Sequence, residues 1–163
     1  MDTLFCTFLI GAGATMIMDL WTVVRKRLLG VPPPDYGLVG RWLGHMALSG
    51  RLRHARISAS PALRGERLIG WTAHYAVGIA FAALLPGIWG TEWIHQPTLG
   101  PALLVGVATV AAPFLLMQPG MGAGIAARRT ANPGAARLQS VVTHTVFGLG
   151  LFVAGQAMRL FQL

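Results

Sequence analysis

The chain has 163 residues, of which 54% are hydrophobic and 11% are charged, and its mean hydropathy is +0.59. This composition excludes an ordinary water-soluble domain, in which about a quarter of the residues are charged, and it indicates an integral membrane protein. Lys and Arg number 13 against 5 Asp and Glu, an excess whose meaning depends on where the charges lie.

The first apolar segment spans residues 3–24, and its basic residues Arg25, Lys26 and Arg27 follow it. A secretory signal peptide has the opposite order, with its charges in front. Since about 20 apolar residues cross the hydrocarbon core as a helix, we expect a first transmembrane helix that stays in the mature protein.

The long connection after it, residues 25–67, contains a second periodic segment. Apolar side chains recur at helical spacing, with Arg41 and His45 toward another face; they are Leu38, Val39, Trp42, Leu43 and Met46. This pattern predicts a short amphipathic helix lying in the membrane interface.

Three further apolar segments are long enough to span the membrane. They are residues 68–89, 98–118 and 139–160, joined by a short turn at 90–97 and a connection at 119–138. Pro113 predicts a kink in the third, and the small, apolar residues 118–127 predict a turn packed back on the bundle. We therefore expect an all-α, four-helix membrane bundle forming one domain over residues 1–163.

The basic residues are divided very unevenly among the connections. Nine lie in the first connection and three in the third, whereas residues 90–97 contain none. Positive-inside bias then predicts an inner-membrane protein whose basic connections are cytoplasmic and whose two termini are periplasmic. Arginines in that position favour anionic lipid head groups as partners and exclude nucleic acid.

The two halves of the chain resemble each other. Residues 70–78 and 141–148 share a Thr-His-Gly pattern, and residues 12–20 resemble residues 106–114. Two tandem helix hairpins in parallel orientation would account for both similarities.

Ionisable side chains inside apolar segments are costly and mark candidate functional sites. Counted from the nearest basic residue, Asp19, His74 and His144 lie at one depth, about 10 Å inside the cytoplasmic boundary. Small residues on their helix faces turn them inward. The sequence predicts a polar pocket of these three with Gln118, and a cytoplasmic rim of Arg41, His45, Glu66, Arg128 and Arg129.

Several chemistries are open to such a pocket. Asp19 and the histidines could bind a small solute or exchange protons; Asp19, His74 and His144 could hold a divalent metal; or His74 and His144 could ligate haem. The cluster could also be interhelical hydrogen bonding in a scaffold or accessory subunit. No catalytic motif occurs, so no catalytic residue is predicted. A transporter of four helices would form homo-oligomers through its glycine-rich faces.

Three blocks carry a family resemblance: DYGLVGRWLGH at 35–45, GERLIGWTAHY at 65–75, and QPGMGAGIAARRTANPGAARLQSVVTH at 118–144. They resemble the bacterial family of small integral membrane proteins known as domain of unknown function 2938, from about residue 11 to residue 150. The resemblance implies a four-helix inner-membrane protein and carries no activity, substrate or cofactor. The site prediction therefore depends on the residues alone.

Overall fold

A computed structural model of the chain describes residues 2–160. Over that range the regular structure is helical, without a strand. Four helical segments are long and apolar enough to cross a membrane, namely Thr3–Leu29, Glu66–Trp89, Leu99–Met121 and Pro133–Leu160. The predicted all-α class, with four helical segments long and apolar enough to span a membrane, is confirmed.

Some of these segments consist of more than one helix. In chain order the α-helices are α1 (Thr3–Leu29), α2 (Tyr36–Ser49), α3 (Glu66–Ala82), α4 (Leu84–Trp89), α5 (Glu92–His95), α6 (Leu99–Ala108), α7 (Gln118–Met121) and α8 (Pro133–Leu160). Helix α2 is the helix predicted within the first connection. Single 3₁₀ turns lie at Ile57–Ala59 and Ile125–Ala127, and a π-helical turn at Pro113–Met117 precedes α7.

The last helix starts earlier than the apolar segment from which it was predicted. It begins at Pro133 rather than residue 139, because proline suits the first helical position and Asn132 caps it. The Asn132 side-chain oxygen accepts the Ala135 N–H at 3.1 Å. Arg137, expected in a connection, therefore lies inside α8.

Pro113 interrupts the third spanning segment as predicted, and the break lies one turn before it. Proline removes an N–H and its ring clashes with the carbonyl four residues earlier, here that of Thr109. Helix α6 accordingly ends at Ala108 with Thr109 as its C-cap, and the chain re-enters helix through the π-helical turn. The interruption leaves Thr109 at a helix end.

The described residues form two compact units. The first contains the described parts of Met1–Pro33 and Val141–Leu163 together with Tyr75–Thr109, and the second contains Pro34–His74 and Val110–Ser140. The boundary between them falls within α3 and α8, so each of these helices contributes residues to both units.

The first unit has a core of apolar side chains from α1, α3–α6 and α8. Its most buried members include Ile10, Leu85, Phe147 and Leu151. Helices α6 and α8 cross at glycines: a Cβ added to Gly106 would lie 2.6 Å from the Gly148 nitrogen and 2.8 Å from the His144 carbonyl oxygen. Backbones that approach this closely are typical of membrane helix pairs.

In the second unit α2 packs across the start of α3. Asp35 caps α2 by accepting the Gly37 N–H at 2.9 Å, and the backbones of Gly40 and Gly70 meet where the helices cross. The buried Trp42 donates its indole N–H to the Leu52 carbonyl at 2.8 Å, and its ring contacts Gly120 of α7. These contacts hold the first connection against α3 and α7 within the second unit.

The turn after α7 contains strained backbone. Ala126 and Ala127 have φ angles of 47° and 58°, in the left-handed region that costs a residue with a Cβ about 1–2 kcal/mol. The Ala126 carbonyl accepts the Arg137 Nε–H at 2.8 Å, which anchors the turn to α8. The segment predicted to pack back on the bundle is thus helical to Met121 and then tightly turned.

Replacing Ala126 with Gly is expected to stabilise the protein by about 0.5–1 kcal/mol, because glycine adopts positive φ without strain. The thermal midpoint in detergent micelles measures the effect. Ala136→Gly, in α8, is the control and should destabilise by about 1 kcal/mol. Equal shifts of the same sign in both variants would contradict strain at Ala126.

Candidate functional site

Asp19 on α1 is paired with a tyrosine from α3. The Tyr75 hydroxyl donates a hydrogen bond to Asp19 Oδ2 at 3.0 Å, and both residues belong to the first unit. A hydrogen bond to a charged acceptor is stronger than one between neutral groups. The carboxylate therefore has a specific donor within a segment apolar enough to span a membrane.

His144 on α8 is paired with the threonine that ends α6. The Thr109 hydroxyl donates to the Gly106 carbonyl at 2.8 Å and lies 3.1 Å from His144 Nδ1. A hydroxyl has one hydrogen to donate, so Thr109 donates to one of these two partners at a time. The helix break associated with Pro113 places this hydroxyl beside the His144 ring.

His74 on α3 interacts with the other tyrosine of the chain. Its Nε2 shares a 3.1 Å hydrogen bond with the Tyr36 hydroxyl, and the two rings lie 4.3 Å apart between centroids. The Tyr36 ring also packs on Trp71, 4.5 Å away. These three residues belong to the second unit.

Gln118, at the first position of α7, completes the predicted set. Its Nε2 donates to Ser140 Oγ at a long 3.5 Å, and Ser140 donates onward to the Ala136 carbonyl at 3.0 Å. Within residues 2–160, the buried Gln118 Oε1 has no hydrogen-bond partner. An unpaired buried acceptor is costly and singles out this amide.

The four predicted pocket residues thus share one feature, a hydroxyl partner from another part of the chain. Asp19 and His144 lie in the first unit, and His74 and Gln118 in the second. We did not predict the partners Tyr36, Tyr75, Thr109 and Ser140 from the sequence. The sequence does contain a signal for two of these partners. The chain has only two tyrosines, and both form hydrogen bonds with residues of the predicted pocket.

Arg25 is a further residue that the sequence prediction missed. The sequence places it at the start of the first connection, yet it is only 6% exposed. Its Nη1 and Nη2 lie 3.5 Å from Thr143 Oγ1 and the Pro32 carbonyl, and its buried Nε finds no partner in the described part of the chain. A buried guanidinium therefore lies beside the residue preceding His144.

Three of the five predicted rim residues hold the first connection in place. Arg41 makes two 2.8 Å hydrogen bonds to Glu66, which raise the pKa of Arg41 above its ordinary value. His45 Nε2 donates to the Pro61 carbonyl at 2.9 Å. Arg128 and Arg129 are exposed, after the strained turn.

The chemistry of the paired groups is that of hydrogen-bond donors and acceptors. Among the side chains of residues 2–160, no group of three or more His, Cys, Asp and Glu is placed to hold a metal ion. The Asp19–Tyr75 and His144–Thr109 pairs each join an ionisable group to a hydroxyl, an arrangement through which a proton can be passed.

No curated protein and no solved structure matches the chain. One family model does, and it extends over nearly the whole sequence. It matches residues 8–158 and is described as a protein of unknown function. The family resemblance predicted from the three sequence blocks is confirmed, and the chain belongs to the DUF2938 family.

Proposed function

We propose that the protein handles protons at membrane depth through Asp19 paired with Tyr75 and His144 paired with Thr109. The observation that carries the proposal is the 3.0 Å hydrogen bond from Tyr75 to the Asp19 carboxylate. Ionisable residues within membrane segments commonly form proton relays. An imidazole can both accept and release a proton, so His144 would act beside Asp19 as a proton-exchanging group.

The paired geometry supports a proton over the other ligands considered for this site. Proton transfer requires one donor and one acceptor at hydrogen-bond distance, which each pair supplies. A resident zinc ion, by contrast, requires three or four protein ligands. The Thr109 hydroxyl, 3.1 Å from His144 Nδ1, would orient the imidazole ring for that transfer.

We further propose that the chain is a multi-pass protein of a bacterial inner membrane with both termini periplasmic. The support is the distribution of basic residues along the sequence, since 12 of the 13 lie in or beside the first and third connections and none lies in residues 90–97. In that orientation Asp19 and His144 lie toward the cytoplasmic ends of α1 and α8. Protons would then exchange with the cytoplasm at these two residues.

Proton flux into liposomes tests the proposal. Purified protein is reconstituted with an enclosed pH-sensitive dye, and a potassium diffusion potential is imposed. Wild-type protein should acidify the lumen faster than protein-free liposomes. Asp19→Asn and His144→Gln should each lower the initial rate by about tenfold or more, because each removes a side chain that can accept and release a proton.

Matched controls exist at Glu92 and His95, the two exposed residues of α5. Glu92→Gln and His95→Gln make the same chemical changes at exposed residues and should leave the rate within about twofold of wild type. Thermal midpoints are measured on all four variants so that unfolding is separated from lost flux. Wild-type flux no higher than that of empty liposomes would overturn the proposal.

A scaffold role is the second candidate, and one observation favours it. The His144–Thr109 bond lies beside the close crossing of Gly106 and Gly148, where it would strengthen helix association. In that case His144→Gln would lower the thermal midpoint, while flux would be absent from wild type and variant alike. The same two measurements therefore separate the candidates.

A further inference from the structure

An open groove lies at the end of α1, within the first unit. Its volume is about 450 Å³, and it is lined by Thr22, Val23, Lys26, Arg27 and Pro33. Sites for small molecules have volumes of about 300–1,000 Å³. The groove is therefore large enough for a ligand, and Lys26 and Arg27 among its described lining residues carry positive charge.

The wall opposite α1 is tied to the helix by the buried Arg25. Its Nη2 lies 3.5 Å from the carbonyl of Pro32, the residue before the groove-lining Pro33. Gly30 ends the helix in the left-handed conformation, with a φ of 66°, and returns its N–H to the Lys26 carbonyl. The chain therefore turns back sharply and places Pro33 near Lys26 and Arg27.

An apolar strip on α1 leads up to the basic residues. Met16, Leu20 and Val23 are 60%, 62% and 46% exposed, and the spacing 16, 20, 23, 27 puts them on one helix face with Arg27. These side chains lie within a segment apolar enough to span a membrane. One helix face thus offers apolar contact along its length and positive charge at its end.

We propose that this groove binds the head group of an anionic phospholipid, with the acyl chains along Met16, Leu20 and Val23. Lys26 and Arg27 would contact the phosphate, and the Thr22 side chain would lie beside it. The charge of the groove is complementary to an anionic head group, and the exposed apolar strip favours a lipid over a free anion. The proposal is independent of proton handling at Asp19 and His144.

Native mass spectrometry of the detergent-solubilised protein tests the proposal. Phosphatidylglycerol and phosphatidylcholine are titrated separately, and wild-type protein should retain the anionic lipid preferentially. Lys26→Gln combined with Arg27→Gln should weaken phosphatidylglycerol binding by about thirtyfold, or about fivefold for each basic residue. The swap Lys26→Arg with Arg27→Lys keeps both charges and should bind within about threefold of wild type, which shows that the groove tolerates substitution.

The matched control is Arg51→Gln with Arg53→Gln, which removes the same net charge from exposed residues of the first connection. It should bind phosphatidylglycerol within about threefold of wild type. Equal losses in the two neutralised variants would overturn the site, as would equal retention of the two lipids by wild type. Inorganic phosphate is titrated in parallel, and displacement of phosphatidylglycerol by millimolar phosphate would instead assign the groove to a free anion.

Discussion

Replacing Gly70 with Ala is expected to break the packing of α2 on α3 and to destabilise the protein by more than about 3 kcal/mol. A Cβ on Gly70 would lie 2.7 Å from the Tyr36 carbonyl carbon and 3.1 Å from the Gly40 nitrogen. These are backbone atoms, so no side-chain rotation relieves the overlap. Overpacking costs about 1–3 kcal/mol where side chains can still adjust, and this contact should exceed that range.

The thermal midpoint in detergent should fall by about 6–12 °C, the shift that 3 kcal/mol produces in a domain of this size. Gly100→Ala in α6 is the matched control. Apart from its chain neighbours and the backbone of its own helix, no described atom lies within 4 Å of the added Cβ. Alanine favours helix over glycine by up to about 1 kcal/mol, so the control midpoint should stay or rise. A similar fall in both variants would show that the crossing is not the cause.

The sequence predicted the spanning helices because their length and apolarity are set by the membrane rather than by partners. About 20 apolar residues in a row require no tertiary information, and each predicted segment overlaps one of the four observed. The start of α8 was missed because it depends on a local cap, Asn132 followed by Pro133. The strained turn at Ala126 was missed because tertiary contacts, such as the one from Arg137, impose it.

The candidate site was predicted less completely than the fold. Ionisable side chains are energetically costly inside a membrane, and this cost singles out Asp19, His74 and His144 from the sequence. It does not say what each of them contacts. The partner of His144 depends on a helix break one turn before Pro113, and the partner of Asp19 depends on helix rotation. A single shared pocket of Asp19, His74, His144 and Gln118 stays a prediction.

Arg25 and Arg41 show why charge position alone is a weak guide. The positive-inside pattern predicts Arg25 as part of a polar connection and Arg41 as part of a cytoplasmic rim. Arg25 is buried and Arg41 is paired with Glu66, because a guanidinium can bond several acceptors at once. The acceptors that each guanidinium reaches depend on how the first connection folds, and the hydropathy pattern does not reveal that.

Replacing Arg41 with Lys is expected to release the end of the first connection even though the charge is kept. The guanidinium bonds both oxygens of Glu66 and also reaches the carbonyls of Ser58 and Ser60 at 3.3 and 3.2 Å. An ammonium group is a point donor and cannot span these acceptors together. Since proteolysis follows the population of the open form, trypsin cleavage after Arg56 should accelerate by about tenfold.

Peptide mass spectrometry measures the cleavage rate, and Arg64→Lys provides the same chemical change at an exposed residue of the same segment. That control should be cleaved at the wild-type rate. Glu66→Gln should be cleaved as fast as Arg41→Lys, because it removes a carboxylate oxygen that accepts hydrogen bonds from both Arg41 and the Leu63 N–H. The double variant should be cleaved little faster than either single variant, since both substitutions remove the same contacts. Fully additive effects, or equal rates for Arg41→Lys and Arg64→Lys, would mean that the connection is held by other contacts.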